Sequence, residues 1–367
     1  MKNLITKLIC LALPLATASC DIWRIRMDTE VLRDGSCQRT VWADSDTCLT
    51  RDEGWQRSEI LLSRNEAKDL LFRYTSSKRP DTSMIYSIKR LFTHAEDMSA
   101  SPAVCIYGEP LRSEVTLTRK FKWFYTDYTF TEMFHGWDDH LHIPITDYLT
   151  YDEATFMLTG YPELPKGTPG VEIADYIDDL SDKKNHWDRA WQLDIAFKVI
   201  ANHYDDIANP PVDRETFLSK FRKMAGDDET WKRTRDLLLP FKRISVNSMV
   251  RMLFKEFFHS DAYAIFFNTD NEKYRLYRNE ANAYYIQNQG IRMLNMPYRL
   301  KMPGRVTDPG RGTVTDGVIS YTLKGAFLIP DSYTITASSR AVNVWAFAVS
   351  LLIIAMAVGS FFIRGRK

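Results

Sequence analysis

The sequence predicts an α+β protein: a β-rich extracytoplasmic domain carrying a helical insertion, followed by one C-terminal transmembrane helix. Three observations predict it. Asp-Gly hairpin turns flanked by alternating apolar residues lie near both ends of the chain, at Asp34-Gly35 and Asp316-Gly317. Between them, apolar residues recur at helical spacing. Residues 341–363 carry no charge at all. The expected partition is a signal peptide over residues 1–19, the first part of the β-domain over 20–150, the insertion over 151–266, the return of the β-domain over 267–338, the membrane helix over 341–363 and a cytoplasmic tail over 364–367.

The first residues have the make-up of an export signal. Lys2 and Lys7 form a short basic region, and residues 8–18 are apolar but too few to span a bilayer. Thr17-Ala18-Ser19-Cys20 has the form of a lipobox, in which the Cys20 thiol would be acylated; Ala16-Thr17-Ala18 also has the form of an ordinary cleavage site. Both readings remain open and both imply export. A strand follows over residues 22–32, with Trp23, Ile25, Met27 and Val31 on one side and Arg24, Arg26, Asp28 and Glu30 on the other. After Asp34-Gly35, residues 38–42 return as its partner. Residues 67–72 suit a helix, and 84–92 and 103–107 suit strands. Residues 115–134, rich in aromatic and β-branched side chains, suit one long strand or two short ones.

From residue 151 the period changes. Pro162, Pro165 and Pro169 mark a loop, and then Ala190, Leu193, Phe197, Ile200 and Tyr204 follow helical spacing. Pro210-Pro211 ends that segment, Asp213 can cap the next helix, and Asp227-Asp228 can open another that Pro240 stops. Val246, Met249, Val250, Leu253, Phe254, Phe257 and Phe258 make the cleanest apolar stripe in the chain. Strands return from about residue 282, and because strands need partners the two ends of the exported region are expected to share a sheet.

The last segment is long enough to cross the hydrocarbon core as a helix, which needs about 20 apolar residues. Trp345 lies near one interface, and Arg364, Arg366 and Lys367 close the chain. Under the positive-inside rule those cations stay in the cytoplasm, so the preceding domain faces outward, in agreement with the export signal. A helical span belongs to an inner membrane rather than an outer one, whose integral proteins are barrels. The expected address is therefore the bacterial inner (cytoplasmic) membrane, lipid-anchored and single-pass, with the domain in the periplasm.

The 367 residues carry 48 Lys+Arg against 47 Asp+Glu, and that balance provides no global field to draw in nucleic acid. Of five cysteines, Cys10 leaves with the signal and Cys20 would carry lipid. Cys37, Cys48 and Cys105 remain, with room for one disulfide; Cys37 with Cys48 is the candidate, although simple pairing around residues 43–46 sets Cys48 opposite Val41. The one constellation with chemistry in it is residues 132–142, where His135, His140 and His142 accompany Glu132, Asp138 and Asp139. Imidazoles and carboxylates at this density could hold zinc, yet the spacing matches no zincin signature, and a polar loop after a strand accounts for it equally. Asp178, Asp179, Asp182, Asp205 and Asp206 lack the spacing and glycine of a calcium loop. No phosphate-binding glycine loop and no nucleophile elbow occurs in the sequence, and no catalytic residue is assigned.

Cys20, the turn Asp34-Gly35-Ser36, the segment Met302-Pro303-Gly304-Arg305-Val306, Asp316-Gly317, and the run from Ser339-Arg340 through Asn343 to Trp345 together resemble the LppM-like bacterial membrane lipoproteins. The resemblance covers the two ends and not the helical middle. It implies a β-rich domain outside the membrane, a terminal membrane helix, no enzyme activity and a role in binding lipid or glycolipid. The functional expectation is a non-enzymatic binding or envelope-assembly module, with membrane lipid, glycolipid or inner-membrane and envelope proteins as partners. Its rivals are a metal-dependent hydrolase built on His135, His140 and His142, and a lipid-transfer protein.

Overall fold

A computed structural model describes residues 24–71, 82–138, 141, 143–160, 170–225 and 246–364. The fold is mixed α and β and divides into two compact units. The first comprises residues 1–135, 293–325 and 332–367, and the second residues 136–292 and 326–331.

The first unit is built from two sheets. Strand β1 (Ile25–Val31) turns at Gly35, whose φ of +96° an L side chain rarely adopts, and pairs with β2 (Cys37–Ala43) from Ile25 opposite Ala43 to Val31 opposite Cys37. Next come β3 (Gln56–Ser63), helix α1 (Arg64–Leu71) and β4 (Thr82–Phe92). A two-residue pair, β5 (Cys105–Ile106) and β6 (Glu109–Pro110), precedes the long hairpin of β7 (Ser113–Lys122) and β8 (Tyr125–Phe134). After the second unit the chain returns as β9 (Asn295–Lys301), β10 (Arg305–Asp308), β11 (Thr313–Thr315), β12 (Val318–Lys324) and β13 (Tyr333–Val342). The larger sheet runs β11-β12-β9-β1-β2-β4-β3 and the smaller β10-β13-β8-β7. The ends of the chain thus share both sheets: β9 lies parallel to β1, and β13 lies antiparallel to β8.

Period-two burial makes each sheet one-sided. In β8 every second residue from Thr126 to Phe134 is buried, and Met27, Val41, Met296, Leu300, Ile319 and Leu323 do the same for the larger sheet. The two inner faces meet around one charged group. Arg39 Nη2 donates to Glu132 Oε2 at 2.6 Å, and Arg39 Nε donates to Thr29 Oγ1 at 3.2 Å. Tyr298 donates its hydroxyl proton to Glu132 Oε2 at 2.6 Å and lies 3.0 Å from Thr29 Oγ1, while Ser113 donates to Glu132 Oε1 at 2.7 Å. Glu132 is 0% exposed and Arg39 2%. Burial opposes the charge on Arg39, but Glu132 and Tyr298 more than offset it and hold the guanidinium above its ordinary value. Burial, then Glu132, drives the Tyr298 phenol well upward, so it stays a donor.

The second unit holds α2 (Tyr151–Thr159), α3 (Gly170–Asn202), α4 (Arg214–Ala225), α5 (Val246–Phe258) and α6 (Glu272–Gln289). Its core is aromatic: Phe217 stacks on Phe197 at 4.5 Å and on Phe258 at 5.4 Å, with Phe254 and Tyr263 completing the cluster. Asp213 caps α4 by accepting the Thr216 N–H at 2.8 Å, which lowers its carboxyl pKa.

Several expectations change. The helical unit begins at Gly136 and continues to Arg292, wider on both sides than the expected 151–266. Helix α6 lies where the return of the β-domain was placed, because its sequence has no narrow apolar stripe and its start rests on an Asn271 cap. Strand β3 escapes a periodicity reading because nearly all of its side chains are exposed, as suits an edge strand. Of the two alternatives open for residues 115–134, the structure has the two strands, β7 and β8. Ala341 and Val342 belong to β13, opposite Thr126 and Tyr125, so the terminal helix α7 (Val344–Arg364) starts later than residue 341. The helix expected after Asp227-Asp228 falls outside the described residues.

Truncating either member of the buried pair strands its partner's charge. Arg39→Ala or Glu132→Ala should each lower unfolding stability by about 3–5 kcal/mol. The double change Arg39→Met with Glu132→Leu should cost clearly less than the sum, measured by denaturant titration of the full chain in detergent.

Candidate functional site

The described members of the 132–142 constellation, Glu132, His135 and Asp138, make separate contacts. Glu132 points into the first unit's core, onto Arg39. His135 follows β8 with its Nε2 3.4 Å from Glu114 Oε1 and its side chain half exposed. In the second unit Asp138 closes a loop, accepting from the Ile145 N–H at 2.8 Å and from the Thr146 hydroxyl. Asp139, His140 and His142 lie outside the described residues, as does Cys20. Among the described residues no group of three His, Cys, Asp or Glu could hold a metal ion. Asp179 and Asp206 serve ion pairs with Lys183 and Lys273.

Cys37 and Cys48 are both buried, and both thiols are free where the sequence offered a pairing. Cys37 opens β2, whereas Cys48 comes five residues after that strand ends at Ala43. Cys48 instead donates to the Ser45 carbonyl at 3.1 Å.

The outer face of the larger sheet offers a better candidate. In-register neighbours Ser320, Arg299, Asp28 and Thr40 cross it on β12, β9, β1 and β2, and Val318, Lys301, Glu30 and Gln38 form the next row. Trp42 adds an indole, and the groove between these residues has a volume of about 220 Å³. Its charges are unequally committed. Arg26 holds both oxygens of Asp28, at 2.8 and 2.6 Å, and also donates to the Leu70 carbonyl at 3.1 Å, so α1 covers it. Lys301 pairs with Glu30 at 2.8 Å. The guanidinium of Arg299 makes no ion pair or hydrogen bond among the described residues. A half-buried cation set in register between Ser320 and Asp28, with Thr40 on the next strand beyond, can take a carboxylate or a phosphate. The signal in the sequence is Tyr298-Arg299-Leu300-Lys301, where cations occupy the outward phase of a strand whose inward phase is apolar.

A second exposed feature lies at the other sheet. Asn343, at the entry to α7, clamps the turn of the β7–β8 hairpin. Its Nδ2 donates to the Lys122 and Trp123 carbonyls at 2.9 and 3.3 Å, its backbone N–H donates to the Phe124 carbonyl at 2.9 Å, and its Oδ1 accepts from Thr126 at 3.1 Å. The turn's aromatics then lie along the helix: Phe121 stacks on Trp345 at 6.2 Å, Trp123 meets Trp345 at 5.4 Å, and Phe124 meets Phe347 at 4.7 Å. Trp123 also donates from its indole to Ser350 at 2.8 Å. Arg340 sits 4.1 Å over the Tyr125 ring and pairs with Asp127 at 2.7 Å, an arrangement that lowers the Asp127 carboxyl. Beyond the hairpin α7 is exposed all round, with Leu351 69% exposed and Leu352, Ile354 and Met356 each 59%. Counting the described residues alone, no helix is long and apolar enough to cross a membrane; the side chains of α7 are described to Ser360, and its backbone continues to Arg364.

No family model matches the chain, and no curated protein or solved structure does either.

Two measurements check this geometry. Arg299→Ala should change stability by less than about 0.5 kcal/mol, whereas Arg26→Ala, which strands Asp28 and the Leu70 carbonyl, should cost about 1–3 kcal/mol; equal losses would show that Arg299 has a structural partner. Burial pushes the Cys37 thiol from 9.0 up to about 12. The folded chain therefore keeps this proton where the unfolded chain loses it, and stability conferred by Cys37 should be intact below pH 9 and decline as pH rises from 9 towards 12. A Cys37→Ala chain should lack that component of alkaline destabilisation in denaturant melts taken across this range.

Proposed function

We propose that the chain is a membrane-anchored, non-enzymatic binding module whose β-unit is held outside the cytoplasm at the surface of the inner membrane. The observation that carries the reading is the aromatic hairpin turn seated on the exposed apolar helix. A helix of 21 residues is about 31 Å long at 1.5 Å per residue, close to the hydrocarbon thickness of ~30 Å. Its described side chains beyond the hairpin are apolar and exposed, an arrangement stable in lipid and costly in water. Phe121, Trp123, Phe124 and Trp345 gather at its start, where aromatic side chains favour the interface, with Lys122 and Arg340 beside them. The basic end of the chain sets the orientation, and the apolar leader supports export, with acylation at Cys20 as a second tether.

Under this reading the sheet groove is the binding face, and Arg299 selects a ligand with one anionic group among hydroxyls, as in an acidic lipid or glycolipid headgroup. Placement beside the LppM-like lipoproteins belongs to the same proposal.

The test uses the full chain in liposomes. Lipids brominated near the headgroup should quench Trp123 and Trp345, the protein should resist carbonate extraction, and Trp123→Phe should remove a share of the quenching. Extraction into the aqueous phase with unquenched tryptophan emission would sink the proposal.

A further inference from the structure

We propose that Cys48 and Cys105 form a disulfide when the chain meets an oxidised dithiol or glutathione disulfide. The argument is one of register. Leu49 bridges Val104 in antiparallel fashion, and the Thr50 N–H donates to the Ala103 carbonyl at 3.0 Å. Carrying that register one residue further sets Cys48 directly opposite Cys105. Cys48 ends a short helical turn, and Leu49, the next residue, is extended with φ −103° and ψ 135°. Val104 is held from its other side as well, since the Leu111 N–H donates to its carbonyl at 2.8 Å and Cys105 pairs with Pro110.

Directly opposite residues on antiparallel strands place their Cβ atoms about 4.5–5.5 Å apart and point to the same side of the ladder. Their Cα separation of about 5.5 Å falls inside the range a disulfide accepts. Cys37 has no such partner: it lies opposite Val31 and Phe92 on the inner face of the larger sheet. In the structure all three thiols are free, and Cys48 donates to the Ser45 carbonyl. Rotation about χ1 of Cys48 releases that weak contact and turns the sulfur towards Cys105.

Exposure orders the chemistry. Cys105 is half-buried and Cys48 fully buried, so the Cys105 thiolate attacks the donor disulfide first and expels one donor thiolate. The Cys48 thiolate then attacks the Cys105 sulfur of the mixed disulfide and expels the second. Two electrons and the two cysteine protons pass to the donor, which leaves as two thiols, and one S–S bond is gained by the chain. The product ties the segment before β3 to the β5–β6 pair across a loop of intervening chain that includes β3, α1 and β4, and so restricts the unfolded state.

Formation in the cell rests on the outward orientation proposed above; formation in the tube does not. The full chain, purified in detergent under reducing conditions, is oxidised with glutathione disulfide, alkylated after unfolding and mapped by mass spectrometry. The expected result is a peptide linking Cys48 to Cys105, an alkylated Cys37, and a Tm several degrees above that of the reduced chain. In Cys105→Ser, Cys48 should stay free. Complete oxidation that leaves Cys48 and Cys105 alkylated, or that links either to Cys37, overturns the proposal. A second sample is alkylated in intact cells with a membrane-permeant reagent, before lysis and purification. A link found in the tube and missing there supports the register and overturns the outward orientation instead.

Discussion

The first unit depends on an ion pair that has no access to water. Moving an isolated guanidinium and carboxylate into a protein interior costs several kcal/mol per ion. That cost is offset here by near-complete satisfaction: Glu132 accepts from Arg39, Tyr298 and Ser113, and Arg39 also reaches Thr29. Each of those five residues sits on a different strand, three in the larger sheet and two in the smaller. The cluster therefore exists only when β1, β2, β9, β7 and β8 all hold their register. A slip of one residue in β2 would turn Arg39 to the outer face and leave Glu132 buried without its counter-charge.

The same register governs what the outer surfaces present. Because Thr29, Arg39 and Tyr298 face inward, their neighbours Asp28, Thr40 and Arg299 face outward in one row. The groove is thus the reverse side of the charge cluster, and its geometry is inherited from the core. On the smaller sheet the inward phase of β8 ends at Thr126, whose hydroxyl reaches Asn343. From there the hairpin turn and the start of α7 are joined by hydrogen bonds rather than by a free linker. The orientation of α7 relative to the sandwich is set by Asn343, and with it the orientation of the groove.

Legibility in the sequence followed periodicity. Both Asp-Gly hairpins could be read from their turn dipeptides and flanking alternation, and α5 from the helical spacing of its apolar residues. Strand β3 and helix α6 could not, since one is an exposed edge and the other buries only part of a mixed surface. The ionic core was visible but misassigned. Glu132 sits in the buried phase of an alternating strand, between Phe130 and Phe134, which marks a carboxylate that needs an internal partner. Grouping it with His135 by proximity in sequence overlooked that a strand sends neighbours to opposite faces. The partner of the segment that follows Cys48 was not legible for a related reason: Leu49 bridges Val104, 55 positions further on, and no local turn signals a pairing of that length.

Topology adds a last constraint. Strand β8 precedes the helical unit and β9 follows it, yet neither sheet is complete without the late strands: β9 joins β1, and β13 joins β8. Every residue from Gly136 to Arg292 must therefore be bridged before the Tyr298 hydroxyl can reach Glu132. Until then Arg39 and Glu132 can meet but lack a donor that helps to satisfy the carboxylate, and the cost of burying the pair is only partly offset. Long-range closure of this kind is slow, because loop entropy is lost before the contacts that reward it can form. A helical unit with its own aromatic core, centred on Phe217 and closed by contacts local to itself, shortens the effective loop once it folds. The charge cluster of the β-unit is thus coupled to the folding of helices that contribute no atom to it.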